Sequence, residues 1–318
     1  EIDTEVSIDA IPVTATGANN MEQVDFTLHT SDGYRLAATR YQPAEPNGLS
    51  VLINSATGAP RQYYRHFAEY LAQRGCLVLT YDYRGIGDSI DSNFHLPDLA
   101  LRDWGTQDLY AALGWLQRYA PEQRIAAIGH SIGGQLIGLA SNNHLLAAVA
   151  TIGSQIGYWR NWPTATKRLQ MSLVTGLALP AAVKGFGKLP GFAMGGVSLP
   201  AGIALEWARW CQNPHYFVDE FGMPLTTYFD RVHCPARFYA IGDDHFYAPA
   251  SAVRALSRRY VAADSEVVWR HPSHWGAAQI GHFGFFRRQA PIAAWDEVSD
   301  WLIARTINLK PASQRWAA

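Results

Sequence analysis

The sequence predicts an α/β fold: a mostly parallel sheet flanked by helices and interrupted once by an inserted helical segment. Three observations lead there. Along most of the chain, short apolar runs alternate with segments whose apolar residues recur at helical spacing. One such run leads through Gly129-His130-Ser131-Ile132-Gly133 directly into a helical pattern. Of the 318 residues, 48% are apolar and 17% charged, enough apolar matter for a sizeable core and too little charge for a disordered chain.

Residues 1–20 mix acidic residues, Thr, Ala and Asn without periodicity and read as a flexible arm. Runs at 24–29 and 34–41, split by Ser31-Asp32-Gly33, predict a hairpin on the sheet edge. The run 49–54, after Pro46-Asn47-Gly48, suits a buried parallel strand. Tyr64, Phe67, Ala68 and Leu71 then fall at i, i+3, i+4 and i+7, a helix that Gly75 closes before a strand over 77–83. Leu109, Ala112, Leu113 and Leu116 mark the next helix, stopped by Pro121. A strand over 124–128, a helix over 132–140 and a strand over 146–152 follow. Late in the chain, 237–241 reads as strand, Val253, Leu256 and Tyr260 as helix, and 266–270 as strand. Pro291 sits in the first turn of a last helix bearing Trp295, Val298 and Leu302.

The block 155–230 breaks this rhythm. It holds ten charged residues and twelve aromatics, a composition that predicts a helical cap between two sheet strands, with 21–154 and 231–318 forming the core. Its most apolar stretch, 189–205, spans 17 residues; a membrane-crossing helix needs about 20, and Pro190, Pro200 and four glycines interrupt it. Membrane contact is therefore not expected. Trp159, Trp162, Trp207 and Trp210 are candidates to wall an apolar substrate pocket, although aromatics in such a segment also serve to pack its own core.

Charge narrows the partners. With 26 Lys and Arg against 27 Asp and Glu, nothing draws the chain to nucleic acid. Cys76, Cys211 and Cys234 have no CxxC spacing, so neither a disulfide framework nor a zinc ribbon is expected. The given sequence shows no signal-peptide pattern, and a cytoplasmic location is the expectation.

The chemistry concentrates at Gly129-His130-Ser131-Ile132-Gly133. A strand turning at once into a helix strains the central Ser and crowds the residues two positions either side, where only glycine fits. Gly134 lets the helix approach the sheet. The hydroxyl then stands at a helix N-terminus, where backbone N–H groups can hold a developing oxyanion. His130 faces away from Ser131 if the strand continues to it, and reads as structural.

With this elbow, the chain resembles the α/β-hydrolase superfamily. Asp82-Tyr83-Arg84-Gly85-Ile86-Gly87-Asp88-Ser89 resembles that superfamily's DxRGxGxS loop, and Gly281-His282-Phe283 its GH-containing loop after the last strand. The likeness runs from about residue 22 to 306, and the combination of Asn54-Ser55-Ala56-Thr57-Gly58, the run 82–87 and Gly-His-Phe-Gly-Phe-Phe-Arg at 281–287 further resembles a bacterial branch of hydrolases without a settled substrate. It implies an α/β-hydrolase fold and a triad in the order Ser, acid, His.

The acid should follow the strand after the cap, where Asp243 and Asp244 compete; Asp244 is preferred, being nearer the Pro249 that opens the next helix. The base should lie beyond the last strand. His282, between glycine and phenylalanine, is preferred, with His274 as alternate. His271 and His274 form HxxH without the Glu or helix of a zinc motif, so no metal is expected. The oxyanion donors should be the N–H of Ile132 and that of Thr57 or Ala56, where relatives carry His-Gly. Asp82, beside Arg84-Gly85, reads as part of a turn. Together these predict a serine hydrolase of a carboxylic ester or thioester with an apolar part, working without a cofactor. An acyltransferase on the same triad and a non-catalytic ligand-binding protein are the alternatives. The oligomeric state leaves no trace in the sequence.

Overall fold

The computed structural model describes residues 21–193 and 196–307; the arm expected at 1–20 lies outside the described residues. The strands are β1 (Met21–His29), β2 (Arg35–Pro43), β3 (Leu49–Asn54), β4 (Leu77–Tyr81), β5 (Arg124–His130), β6 (Leu146–Ile152), the two-residue β7 (Lys188–Leu189) and β8 (Leu199–Pro200), β9 (Ala236–Ile241) and β10 (Ser265–Arg270). Eight of them form one sheet in the order β1-β2-β4-β3-β5-β6-β9-β10, while β7 and β8 pair separately. The β1–β2 and β2–β4 pairs are antiparallel and every other pair in the large sheet is parallel. The early hairpin is thus an antiparallel edge on a parallel sheet.

Every residue of β3 and β4 is buried, because helices cover both faces. Successive side chains go to opposite layers. Leu52, Leu79 and Ala127 pack with Trp104, Leu113 and Leu116, beneath α2 (Tyr110–Tyr119). Val51, Val78 and Ile128 pack with Phe67, Leu71, Trp295 and Leu302, from α1 (Arg65–Gln73) and α8 (Ile292–Thr306). Burying each such aliphatic or aromatic side chain is worth about 1.5–3 kcal/mol, which explains why the runs at the sheet centre are so apolar.

Several element ends differ from the periodicity; β4, for one, stops at Tyr81, short of the expected 83. β5 continues to His130, two residues past the expected 128. The helix expected over 132–140 is only α3 (Ile132–Leu136), finishing as a 3₁₀ turn over Ile137–Leu139. Gly138 there lies against the Phe229 ring, which a Cβ would meet at 2.1 Å.

Between β6 and β9 the chain leaves the sheet. This insert holds α4 (Ala165–Leu173), α5 (Leu179–Phe186) and α6 (Ala201–Gln212), the first two joined by a π-helical turn. α7 (Ala250–Ser257) then links β9 to β10. All three cysteines are buried and free. Burial pushes each thiol up, Cys234 to about 12.

Candidate active site

Ser131 stands between β5 and α3 with φ 53° and ψ −117°; with Tyr216 it is one of two non-glycine residues at positive φ among the described residues. Its N–H donates to the Ile152 carbonyl at 3.1 Å, tying the turn to the end of β6. The glycines are sterically required. A Cβ on Gly133 would come within 2.2 Å of the Asn54 carbonyl oxygen, one on Gly129 within 2.4 Å of Gly134, and one on Gly134 within 2.4 Å of the Ser154 hydroxyl. Two of these three obstacles are backbone, which cannot rotate aside.

The adjacent strand ends deliver an acid and an imidazole. Past β9, Asp244 places one carboxylate oxygen 2.5 Å from His282 Nδ1. Its other oxygen accepts the Tyr247 and Ala248 N–H groups, each at 3.1 Å. Asp243 points elsewhere: its two oxygens accept the N–H groups of Ile280 and Gly281 at 2.9 Å, in the loop just before His282. The two neighbouring carboxylates therefore divide the work, one on the ring and one on the backbone that carries it. The Tyr247 ring stacks on His282, with centroids 4.8 Å apart. Gly153, next to the acceptor of Ser131, completes the closure: a Cβ there would lie 3.2 Å from His282 Nδ1 and 3.5 Å from Asp244 Oδ2. His274 sits exposed in the turn Pro272–Trp275, its ring against Trp269 and away from Asp244, so the alternate base expected from sequence is not part of this group.

Behind these residues runs a buried chain of hydrogen bonds. His130 is fully buried, with Nε2 2.9 Å from the His282 carbonyl oxygen and Nδ1 2.8 Å from the Tyr64 hydroxyl. A carbonyl only accepts, so Nε2 carries the proton and Nδ1 accepts from Tyr64. Tyr64 in turn accepts the Ala56 N–H at 2.7 Å. Burial holds His130 well below the ordinary histidine range, and it stays neutral. Tyr63 adds a second tie, donating its hydroxyl to the Phe283 carbonyl. The sequence marks His130 as structural and Tyr64 only as an apolar position of a helix, and gives no sign of Tyr63; both tyrosines lie in the 3₁₀ turn Arg61–Tyr64 just before α1.

The Ala56–Tyr64 bond corrects one expectation. The Ala56 N–H faces the core and is already donated, so it is unavailable to an oxyanion. Thr57 N–H makes no hydrogen bond among the described residues, and Ile132 N–H, first in α3, has no intrahelical acceptor. The loop between β3 and α1 is pinned at its other end by Asp82, which accepts the Arg61 N–H at 2.5 Å and pairs with its guanidinium at 2.6 Å. Burial raises the Asp82 carboxyl above its usual range. Gly87 makes room for that carboxylate, since a Cβ would stand 2.6 Å from it. The insert also touches this loop: Val197 N–H donates to the Gly58 carbonyl at 2.8 Å.

The expected aromatic wall is largely absent. Trp210 is fully buried inside the insert, donating its indole N–H to the Val218 carbonyl and packing on Tyr216 and Phe217. Trp162 is buried with Met171 and Ala252 and donates to the Phe246 carbonyl. These two hold the insert together instead of facing a substrate. Trp207 and Trp159 are half-buried, packed against those same clusters. Tyr247, which the sequence did not single out, is the aromatic that meets His282.

Fold and elbow together define a class, and the comparisons name it. The chain belongs to the alpha/beta hydrolase family, whose sequence model matches residues 51–300. Among solved structures it is similar to a hypothetical protein of Pseudomonas aeruginosa, at TM-score 0.59 and 19% identity over 93% of this chain and 96% of that one. It is also similar to an esterase of Pyrococcus furiosus, at TM-score 0.57 and 16% identity over 96% of this chain and 99% of that one. A brefeldin A esterase, described as a bacterial homologue of human hormone-sensitive lipase, aligns at TM-score 0.55 and 16% identity over 95% of this chain and 82% of that one. No curated protein sequence matches the chain.

Proposed function

We propose that this protein is a serine hydrolase that cleaves carboxylic esters or thioesters through an acyl-enzyme. The observation that carries the reading is Ser131, held at positive φ where β5 meets α3, on the same sheet end as a buried His282–Asp244 pair. With Nδ1 committed to Asp244, the free Nε2 of His282 is the atom that takes the Ser131 proton. The Ser131 oxygen adds to the carbonyl carbon, and the N–H groups of Ile132 and Thr57 receive the charge on the carbonyl oxygen. Collapse of the adduct breaks the bond to the alcohol or thiol, which leaves with the proton from His282. Water then attacks the acyl-enzyme, His282 takes and returns a proton, and the carboxylic acid departs. Asp244 keeps the imidazole in the required tautomer and balances the imidazolium formed in each half. Esterases among the structural relatives support the ester preference.

Incubation with a fluorophosphonate, followed by intact mass, tests the mechanism. Wild type should gain one adduct and Ser131→Ala none. Nitrophenyl esters of increasing acyl length should then be hydrolysed by wild type, with activity lower in Ser131→Ala by about 10⁴-fold or more. A wild-type chain that forms no adduct and turns over no ester would overturn the proposal.

A further inference from the structure

The insert carries a surface that the chemistry above leaves unused. Between 155 and 205 the sequence holds five cations, Arg160, Lys167, Arg168, Lys184 and Lys188, and no Asp or Glu, although the whole chain is at −1. The remainder of the molecule is therefore net acidic. Within this stretch α4, the π turn and α5 run as one helix, Ala165–Phe186, long and apolar enough by length and composition to cross a membrane. One face of it docks on the protein: Met171, Thr175, Leu179 and Val183, spaced by four, are buried. The other face is turned out. Leu169, Leu173 and Leu177, also spaced by four, are 60%, 52% and 65% exposed. They sit two positions from the buried row, about 200° around the helix. At the C-terminal end Phe186 and the 82% exposed Phe192 prolong the apolar surface, their rings edge to face at 6.2 Å.

We propose that this face docks on an anionic lipid surface, with the helix lying in the plane of the interface. Apolar side chains in a row, with cations at both ends, match a hydrocarbon layer beneath negatively charged headgroups. Lys167 and Arg168 touch only backbone carbonyls, and none of the four cations at the helix ends forms an ion pair among the described residues, so all four keep their charge for a partner. A second copy of the chain fits poorly: two-fold pairing of this face sets cations against cations, with no carboxylate between 155 and 205 to offset them. Crossing the bilayer is incompatible with the row from Met171 to Val183, which is packed on the rest of the protein.

Co-sedimentation of the full chain with vesicles tests this, using phosphatidylcholine alone and phosphatidylcholine mixed with phosphatidylglycerol. Wild type should sediment with the mixed vesicles and far less with the neutral ones. Leu173→Glu/Leu177→Glu should abolish sedimentation, and Lys184→Glu/Lys188→Glu should weaken binding to the mixed vesicles by about 30-fold. All four side chains are exposed, so thermal midpoints and hydrolysis of a soluble ester should match wild type. The proposal is overturned if wild type ignores both vesicles, if the variants bind like wild type, or if wild type dimerises and Leu173→Glu/Leu177→Glu is monomeric. Vesicle binding needs no turnover, so its failure is distinct from a failure of the hydrolase reading.

Discussion

On the serine side of the site, position is set by contact; on the histidine side, it is set by hydrogen bonds. Gly129, Gly133 and Gly134 bring backbone and side chain so close that any larger residue would overlap its neighbour. His282 is instead held from several directions: Asp244 on its ring, His130 on its carbonyl, Asp243 on the two N–H groups before it. Contact constrains residue size at fixed spacing, so it leaves a local motif. Hydrogen bonds join residues as far apart as 130 and 282, so the pairing itself leaves no local spacing even where His282 sits in a Gly-His-Phe setting.

The comparison can be broken at each point. The largest effect should separate the two neighbouring carboxylates. Asp244→Asn should lower kcat by about 10⁴-fold, since the amide cannot support the imidazolium. Asp243→Asn, losing one hydrogen bond to the loop, should lower it by about 10-fold. Equal losses in steady-state kinetics would mean that the carboxylates do not divide their roles in this way. Next, Gly133→Ala should destabilise the fold by about 3 kcal/mol in urea unfolding, because the Asn54 carbonyl has nowhere to go. A variant as stable as wild type would show that the serine side is not contact-limited.

Tyr64→Phe attacks the other mode of holding. It strands the Ala56 N–H and His130 Nδ1 in the core, and should cost about 2 kcal/mol of stability. It should also lower kcat more than it raises KM, because the loop bearing Thr57 loses an anchor and His130, which holds the His282 carbonyl, loses its own. The smallest effect is a slope. His130 is neutral when folded but takes up a proton when unfolded below about pH 6.5, so the unfolded state binds more protons and stability falls as pH falls. The slope reaches at most about 1.4 kcal/mol per pH unit over the window from pH 6.5 downward. His130→Phe should flatten the urea midpoint against pH in that window, and an unchanged slope would assign it to other groups.

Much of the molecule was legible in the residues, for the same reason. The sheet was written in runs such as 49–54, where burial on both faces forbids charge, while the run expected over 77–83 is strand only to Tyr81. The elbow was written in its glycines. The choice between Asp243 and Asp244 was not, because side-chain direction at a strand end depends on which distant N–H groups arrive there. The insert misled in two ways. Trp162 and Trp210 satisfy a pocket wall and a core equally well by composition, and only their burial distinguishes the two. The uncharged stretch 189–205 draws attention by its hydropathy, yet Leu189, Leu199 and Ile203 within it are buried. Apart from Phe186 and Phe192, the apolar surface comes from 169–177, a shorter pattern whose outward direction depends on what packs behind it.

The three buried thiols give the chain a use as a measuring instrument. With Cys76, Cys211 and Cys234 shielded and poorly ionised, the native protein offers little thiolate to a maleimide. A single cysteine placed at Leu173 or Leu177 would then be the dominant labelling site without removing any native one. An environment-sensitive dye attached there would report, in real time and in one cuvette, what the outward face of the insert encounters.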